Sequence, residues 1–153
     1  MAAVALSLLA PACATTKKTF ASFDSASVVE SKPDVSVQFP SEQPVVLNFF
    51  GSWCEPCKQE MPLLATTAKA HPRVRFIGAD TKDSRSGAAD LLASAGTPYE
   101  AVYDPAGSLA NTYAVRAFPS TFFIDREGVV VQRVQGQLTQ ARLDALLARL
   151  EAA

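Results

Sequence analysis

An α/β domain, with a central mixed β-sheet flanked by helices on both faces, is the fold class that three observations predict. Apolar runs of strand length alternate with segments of helical periodicity along most of the chain. The run Val45–Phe50, VVLNFF, is almost continuously apolar and aromatic, the pattern of a strand covered on both faces. The last third reads as a hairpin, STFFIDREGVVVQRVQG, followed by a leucine-striped helix. Strands joined through helices pair in parallel by right-handed crossovers, whereas a hairpin adds antiparallel strands, so the sheet must be mixed.

Each element has its own local reason. A helix is expected over residues 54–70, stopped by His71-Pro72 because proline disfavours helical backbone in the residue before it. VRFIGA, residues 74–79, is a second buried strand. SRSGAADLLASAG reads as a helix with Ser84 or Ser86 near its N-cap and Gly96 as its stop. YEAVYD is a short strand and SLANTYAV a short helix. In the hairpin, the connection runs from Asp125 to Gly128, and Gly128 suits a left-handed turn position. In the final helix, Leu143, Leu146, Leu147 and Leu150 fall at i, i+3, i+4 and i+7, which is one buried stripe.

A chain of 153 residues with 48% apolar content accommodates one compact domain with its own core. The formal net charge is -1 and no basic run exceeds Lys17-Lys18, so the surface offers nothing to neutralise phosphates, and nucleic acid is excluded as a partner class. Residues 2–12 form an apolar segment, far short of the roughly 20 residues that span a bilayer but of the length of a signal-peptide core. Two readings of its end stay open. Ala10 and Ala12 form an A-x-A-like cleavage site, or the segment is a lipoprotein signal in which Cys13 becomes the lipid-modified first residue. The expected organisation is therefore an export signal over residues 1–13, a polar tether over 14–24 and the folded domain over 25–153, in an extracytoplasmic location.

The chain's chemistry concentrates in WCEPCKQEMP, residues 53–62, immediately after VVLNFFGS. A structural zinc site needs four ligands, and beyond Cys54 and Cys57 the chain holds only Cys13 and the lone His71, so no metal is expected. Covalent haem requires His after the second cysteine, where Lys58 stands. A Cys-His hydrolase would need His71, which lies at the far end of the same predicted helix. A dithiol/disulfide pair fits the placement. Cys54 stands at the seam of strand and helix, where free N–H groups and the helix dipole stabilise a thiolate. Cys57, one turn on, can resolve a mixed disulfide formed at Cys54. Pro56 lies in the first helical turn, where its missing N–H costs nothing. A purely structural disulfide across so short a loop would gain little stability.

This segment resembles the active site of thioredoxin-fold oxidoreductases, and is most similar to the extracytoplasmic TlpA/ResA-like group of thiol-disulfide oxidoreductases. The matching residues are NFFGSWCEPC, Pro62 after the second cysteine, and VRAFPSTFFIDREG; the likeness runs from about Pro44 to the C-terminus. It implies a thioredoxin-like fold, with Pro119 cis and against the disulfide and the Phe118 backbone free to pair with an extended substrate segment. It implies Trp53 as an exposed contact surface beside Cys54, Asn48 where cytoplasmic thioredoxins keep a buried Asp, and Glu60 as an active-site carboxylate able to take the Cys57 proton. Substrate contact would then involve Trp53, Glu55, Pro56, Phe118 and Pro119. No cofactor is implied beyond the redox-active disulfide. The implied partners are exported protein thiols and disulfides, apocytochrome c among them, with a membrane electron donor or acceptor. The anion of Glu55 between the cysteines leans the pair towards reduction, with a thiol oxidase or isomerase as the alternative. A non-catalytic binding module and a peroxiredoxin are further alternatives on the same fold. FDSASVVESKPDVSVQFPSEQP lacks the APxF-like opening and glycine turn of the group's first strand pair, leaving VSVQF as an edge-strand candidate.

Overall fold

The computed structural model describes residues 18–152. The expected export signal, Cys13 and the first part of the expected tether lie outside the described residues. A five-stranded mixed sheet, in the order β5-β4-β3-β6-β7, forms the centre of the domain. It is built from β3 (Val45–Phe50), β4 (Arg75–Thr81), β5 (Glu100–Asp104), β6 (Ser120–Ile124) and β7 (Val130–Gln135). β3 pairs in parallel with β4, and β4 with β5; β6 runs antiparallel to both β3 and β7. The fold is thioredoxin-like and of the α/β class.

All six residues of β3 are buried, which explains why its sequence shows no polar alternation. Even-numbered positions Val46 and Phe50 face α1 (Glu55–Ala70), α2 (Arg85–Ser94) and α4 (Gln140–Glu151), where the leucine stripe Leu143, Leu146, Leu147 and Leu150 is buried. Odd-numbered Val45, Leu47 and Phe49 face the opposite layer, made by α3 (Ser108–Thr112), Tyr113 and the N-terminal strands. The period-2 alternation of side chains thus divides the core into two layers from a single apolar strand. The caps follow the sequence: Ser84 Oγ accepts from Gly87 N–H, and Thr139 Oγ1 accepts from Arg142 N–H. Gly128 sits at φ 83° in the hairpin turn, a conformation that disfavours any side chain.

Two expectations are corrected at the N-terminus. The tether expected over residues 14–24 does not extend to Ser25, because Thr19 pairs with Val129 and Phe20 is buried, stacked on Tyr113 at 3.5 Å between ring centroids. An isolated phenylalanine in a polar stretch carries no periodicity, so its burial is decided by the tertiary pocket. The strand pair that seemed to lack its usual motif is present: β1 (Phe23–Ser25) pairs antiparallel with β2 (Val35–Val37). VSVQF therefore does not edge the main sheet; Val35 and Val37 lie in the packed layer across the face of Leu47 and Phe49.

Candidate redox site

The end of β3 delivers the chain to the N-terminus of α1, and the cysteines are placed by that junction. Cys54 is the N-cap of α1, with extended backbone at φ -94° and ψ 104°, and its Sγ accepts from Cys57 N–H at 3.3 Å. Pro56 occupies the first turn, where no intrahelical acceptor awaits its nitrogen. Cys54 and Cys57 are joined in a disulfide, with Cα atoms 5.2 Å apart, and both are buried. Their sulfur-bearing side chains pack with Phe50, Met61, Ala88 and Leu92. His71, by contrast, caps the far end of α1 and faces Glu151 at 3.5 Å, which removes it from this chemistry.

Trp53 is the one exposed large hydrophobic residue among those described, at 52% of its surface. It is held in place: its Nε1–H donates to the Thr81 carbonyl at 3.1 Å, and its ring meets Phe118 edge-on at 5.2 Å. Gly51 permits this pose, because a Cβ there would stand 2.4 Å from Trp53 Nε1. Across from the disulfide-bearing turn, the Phe118-Pro119 peptide bond is cis, as is Phe39-Pro40, which the sequence did not single out. Pro119 is buried, and its carbonyl accepts from Gly136 N–H at 2.8 Å. The Phe118 backbone makes no backbone hydrogen bond among the described residues.

Glu60 lies one turn past Cys57 with only 3% of its surface exposed. Its two oxygens are held separately: Oε2 accepts from Asn48 Nδ2 at 3.1 Å, and Oε1 accepts from Leu138 N–H at 2.6 Å. Burial pushes its pKa up to about 6, against the lowering effect of those two donors. Asn48 is itself oriented by Thr121 Oγ1 at 3.0 Å, its neighbour across the β3–β6 ladder. Glu55, in contrast, is exposed and pairs with Lys58 at 3.4 Å. Solvent and that ammonium weaken its influence on the cysteines, so the buried carboxylate is the stronger local charge.

Several site residues had no sequence signal. Gln137 donates to the Pro56 carbonyl at 3.0 Å and to Gln59 Oε1 at 3.2 Å, tying the chain after β7 to the first turn of α1. Leu138 serves through its backbone, which no side-chain pattern could reveal. Asp83 receives both the N–H and the hydroxyl of Ser52, the latter at 2.8 Å, just ahead of Trp53. The described residues contain no group of three or more His, Cys, Asp or Glu able to hold a metal.

With this geometry, comparison with known proteins defines the class. The sequence profile of the AhpC/TSA family matches residues 18–133, and the chain belongs to that family. Among curated relatives, it is 41% identical over 102 residues to the thiol:disulfide interchange protein DsbE of Xylella fastidiosa (strain Temecula1), covering 66% of this chain and 51% of the relative. It is 34% identical over 101 residues to the thiol-disulfide oxidoreductase ResA of Bacillus subtilis, covering 65% and 56%. The chain thus spans a little over half the length of these relatives. Among solved structures, a putative DsbE from Chlorobium tepidum superposes with a TM-score of 0.78 at 21% identity, covering 88% of this chain and 96% of that one, which shows the shared fold.

Proposed function

We propose that this chain is an extracytoplasmic thiol-disulfide oxidoreductase that works through the Cys54–Cys57 pair and favours reduction of disulfides in exported proteins. The observation that carries the reading is the buried Glu60 carboxylate one turn beyond a disulfide at a helix N-terminus. In the reducing direction, the Cys54 thiolate attacks one sulfur of a substrate disulfide. A mixed disulfide forms and the substrate's other sulfur leaves as a thiolate, which takes a proton from solvent. Glu60 accepts the Cys57 proton, and the Cys57 thiolate attacks Cys54 Sγ. The second substrate sulfur is released and the protein retains the disulfide. Two electrons have passed to the substrate, and a dithiol donor, at the membrane in this proposal, returns them.

Trp53, Phe118 and the backbone beside Pro119 supply the docking surface, with Glu55 and Pro56 at its edge. The names of the DsbE and ResA relatives support the reaction class. The apolar segment ahead of Cys13 supports export, by cleavage or by lipid anchoring at Cys13, and apocytochrome c is one substrate of suitable chemistry. The reducing direction draws on charge. Glu60 is mostly ionised at pH 7, and a buried anion near the pair disfavours the thiolate-bearing dithiol, lowering the potential. One observation favours the opposite direction: the Cys57 N–H aimed at Cys54 Sγ stabilises a Cys54 thiolate and so an oxidase or isomerase. A reduction potential measured against glutathione separates the two, since a value near the DsbA level of about −120 mV refutes the reductase reading. A Cys57→Ser variant should trap the substrate as a mixed disulfide on Cys54. A binding module would instead keep its partners after Cys54 is alkylated.

A further inference from the structure

Asp80 carries a carboxyl group that the redox chemistry above does not use. It is fully buried, and neither of its oxygens has a hydrogen-bond donor among the described residues. The β-ladder places it beside Phe50 on one side and Tyr103 on the other, on the sheet face covered by α1 and α2. The charges acting on it come from Asp83 in the loop after β4, Asp104 at the end of β5 and Arg85 in the first turn of α2. Arg85 is engaged elsewhere, over the Tyr103 ring at 4.2 Å, on the Ser27 carbonyl and beside Glu30. The Tyr103 hydroxyl donates to the Asp83 carbonyl at 3.3 Å. After burial itself, the group acting most strongly on the Asp80 carboxyl is another carboxyl, that of Asp83, three residues on. Two neighbouring carboxyls disfavour a double negative charge, so one of them tends to keep its proton.

Asp83 is already an acceptor for three donors: Ser52 N–H, Ser52 Oγ–H at 2.8 Å and Ser84 N–H at 2.7 Å. Burial opposes its ionisation, but the bonds from Ser52 and Ser84 outweigh burial and hold its pKa below the usual value. The proton therefore belongs to Asp80. The next residue after Ser52 is Trp53, fastened to the Thr81 carbonyl. Asp83 and Thr81 thus hold the two residues that precede Cys54.

We propose that Asp80 is a positioning residue whose protonated carboxyl donates to Asp83 and thereby locks Ser52 and Trp53 beside the Cys54–Cys57 pair, a clasp that opens when Asp80 loses its proton. Burial first, and then the Asp83 charge, push the Asp80 pKa up to about 8. On the alkaline side the proton passes to solvent and no covalent bond changes. Two anions then face each other, Asp83 withdraws with Ser52, and the indole leaves Thr81. The clasp is argued from the buried, unpartnered Asp80 carboxyl and the bonds of Asp83 to Ser52; only its consequence for catalysis rests on the redox role proposed for Cys54.

Trp53 is the single tryptophan of the chain, so its fluorescence reads the clasp directly. The experiment titrates the oxidised protein, in which neither cysteine ionises, from pH 5 to 9.5. The expected result is an emission step with a midpoint near 8. In Asp80→Asn, whose amide donates to Asp83 at every pH, that step is absent and the emission at pH 9 equals that of the parent protein at pH 6. A parent protein without the step, or an Asp80→Asn protein that retains it, overturns the proposal. In Asp83→Asn only one anion can form, the repulsion that opens the clasp is gone, and the step near pH 8 is absent; a step retained there also overturns it. Rates of insulin-disulfide reduction add a separate arm. Asp80→Asn should match the parent at pH 6 and exceed it severalfold at pH 9. An intact fluorescence step with no reductase activity at any pH supports the clasp and strikes only the redox reading.

Discussion

Replacing Glu60 by Gln isolates a buried charge whose cost can be worked from the structure. Its pKa is 4.5 in the unfolded reference and about 6 in the fold, a difference of about 1.5, or roughly 2 kcal/mol at 1.36 kcal/mol per unit. The folded state binds this proton more tightly than the unfolded chain. Its stabilising effect is therefore complete below pH 4.5 and is lost as pH rises through 6. Above pH 7 the ionised Glu60 leaves the fold about 2 kcal/mol weaker than the protonated form does. Gln removes that titration but cannot accept from both Asn48 Nδ2 and Leu138 N–H with a single carbonyl. Leaving one buried donor unpaired costs about 1–3 kcal/mol, so the two proteins should have similar stability at pH 7. The diagnostic quantity is the pH dependence. Urea unfolding of the oxidised proteins at pH 4, 5, 6 and 7 should show the parent losing about 2 kcal/mol relative to Glu60→Gln between pH 4 and 7. Parallel profiles would refute the claim that Glu60 is a strained, desolvated carboxylate. They would also remove its standing as a base. If Glu60 takes the Cys57 proton, the variant resolves mixed disulfides about 10²-fold or more slowly at pH 7, measured by stopped-flow.

Three further outcomes test neighbouring parts of the site and its support. Asn48→Ala withdraws one donor from Glu60, so the Glu60 midpoint should move above about 6 in a carboxyl-resolved NMR titration; an unchanged midpoint means the Asn48 contact has no electrostatic weight. Gly51→Ala drives a methyl into the Trp53 indole, which should detach it from Thr81 and Phe118 and red-shift its emission, and an unshifted spectrum would contradict the close approach. Leu147→Ala empties a fully buried position under the sheet and should cost about 2–5 kcal/mol in denaturant unfolding; a loss below about 1 kcal/mol would mean that α4 packs loosely.

The legible parts of this protein were those written in local chemistry. Continuous apolarity identified β3 to the residue, Ser84 marks a helix start, and the leucine spacing of α4 states which face is buried. The WCEPC junction announced its disulfide because a strand-to-helix turn needs no distant residue to place two cysteines one helical turn apart. Glu60 lies in the same turn-by-turn frame, so its candidacy could be stated, although its burial could not. Phe20 was misplaced for the converse reason: a lone aromatic has no periodicity to betray the pocket that receives it.

Whatever depends on register or on loops meeting across the sheet belonged to the tertiary structure alone. The β3–β6 ladder brings Thr121 to Asn48, the chain after β7 brings Leu138 N–H to Glu60, and the β3–β4 ladder sets Asp80 beside Phe50. The first two of those pairings span 73 and 78 residues of sequence separation, and the closure of such distant segments leaves no local pattern. Sequence therefore named the pair that the structure joins in a disulfide. Folding decided the burial that raises the carboxyl pKa of Glu60, and the contacts that hold Trp53 and the loop before Cys54 in place, because desolvation and long-range hydrogen bonds exist only once the sheet has assembled.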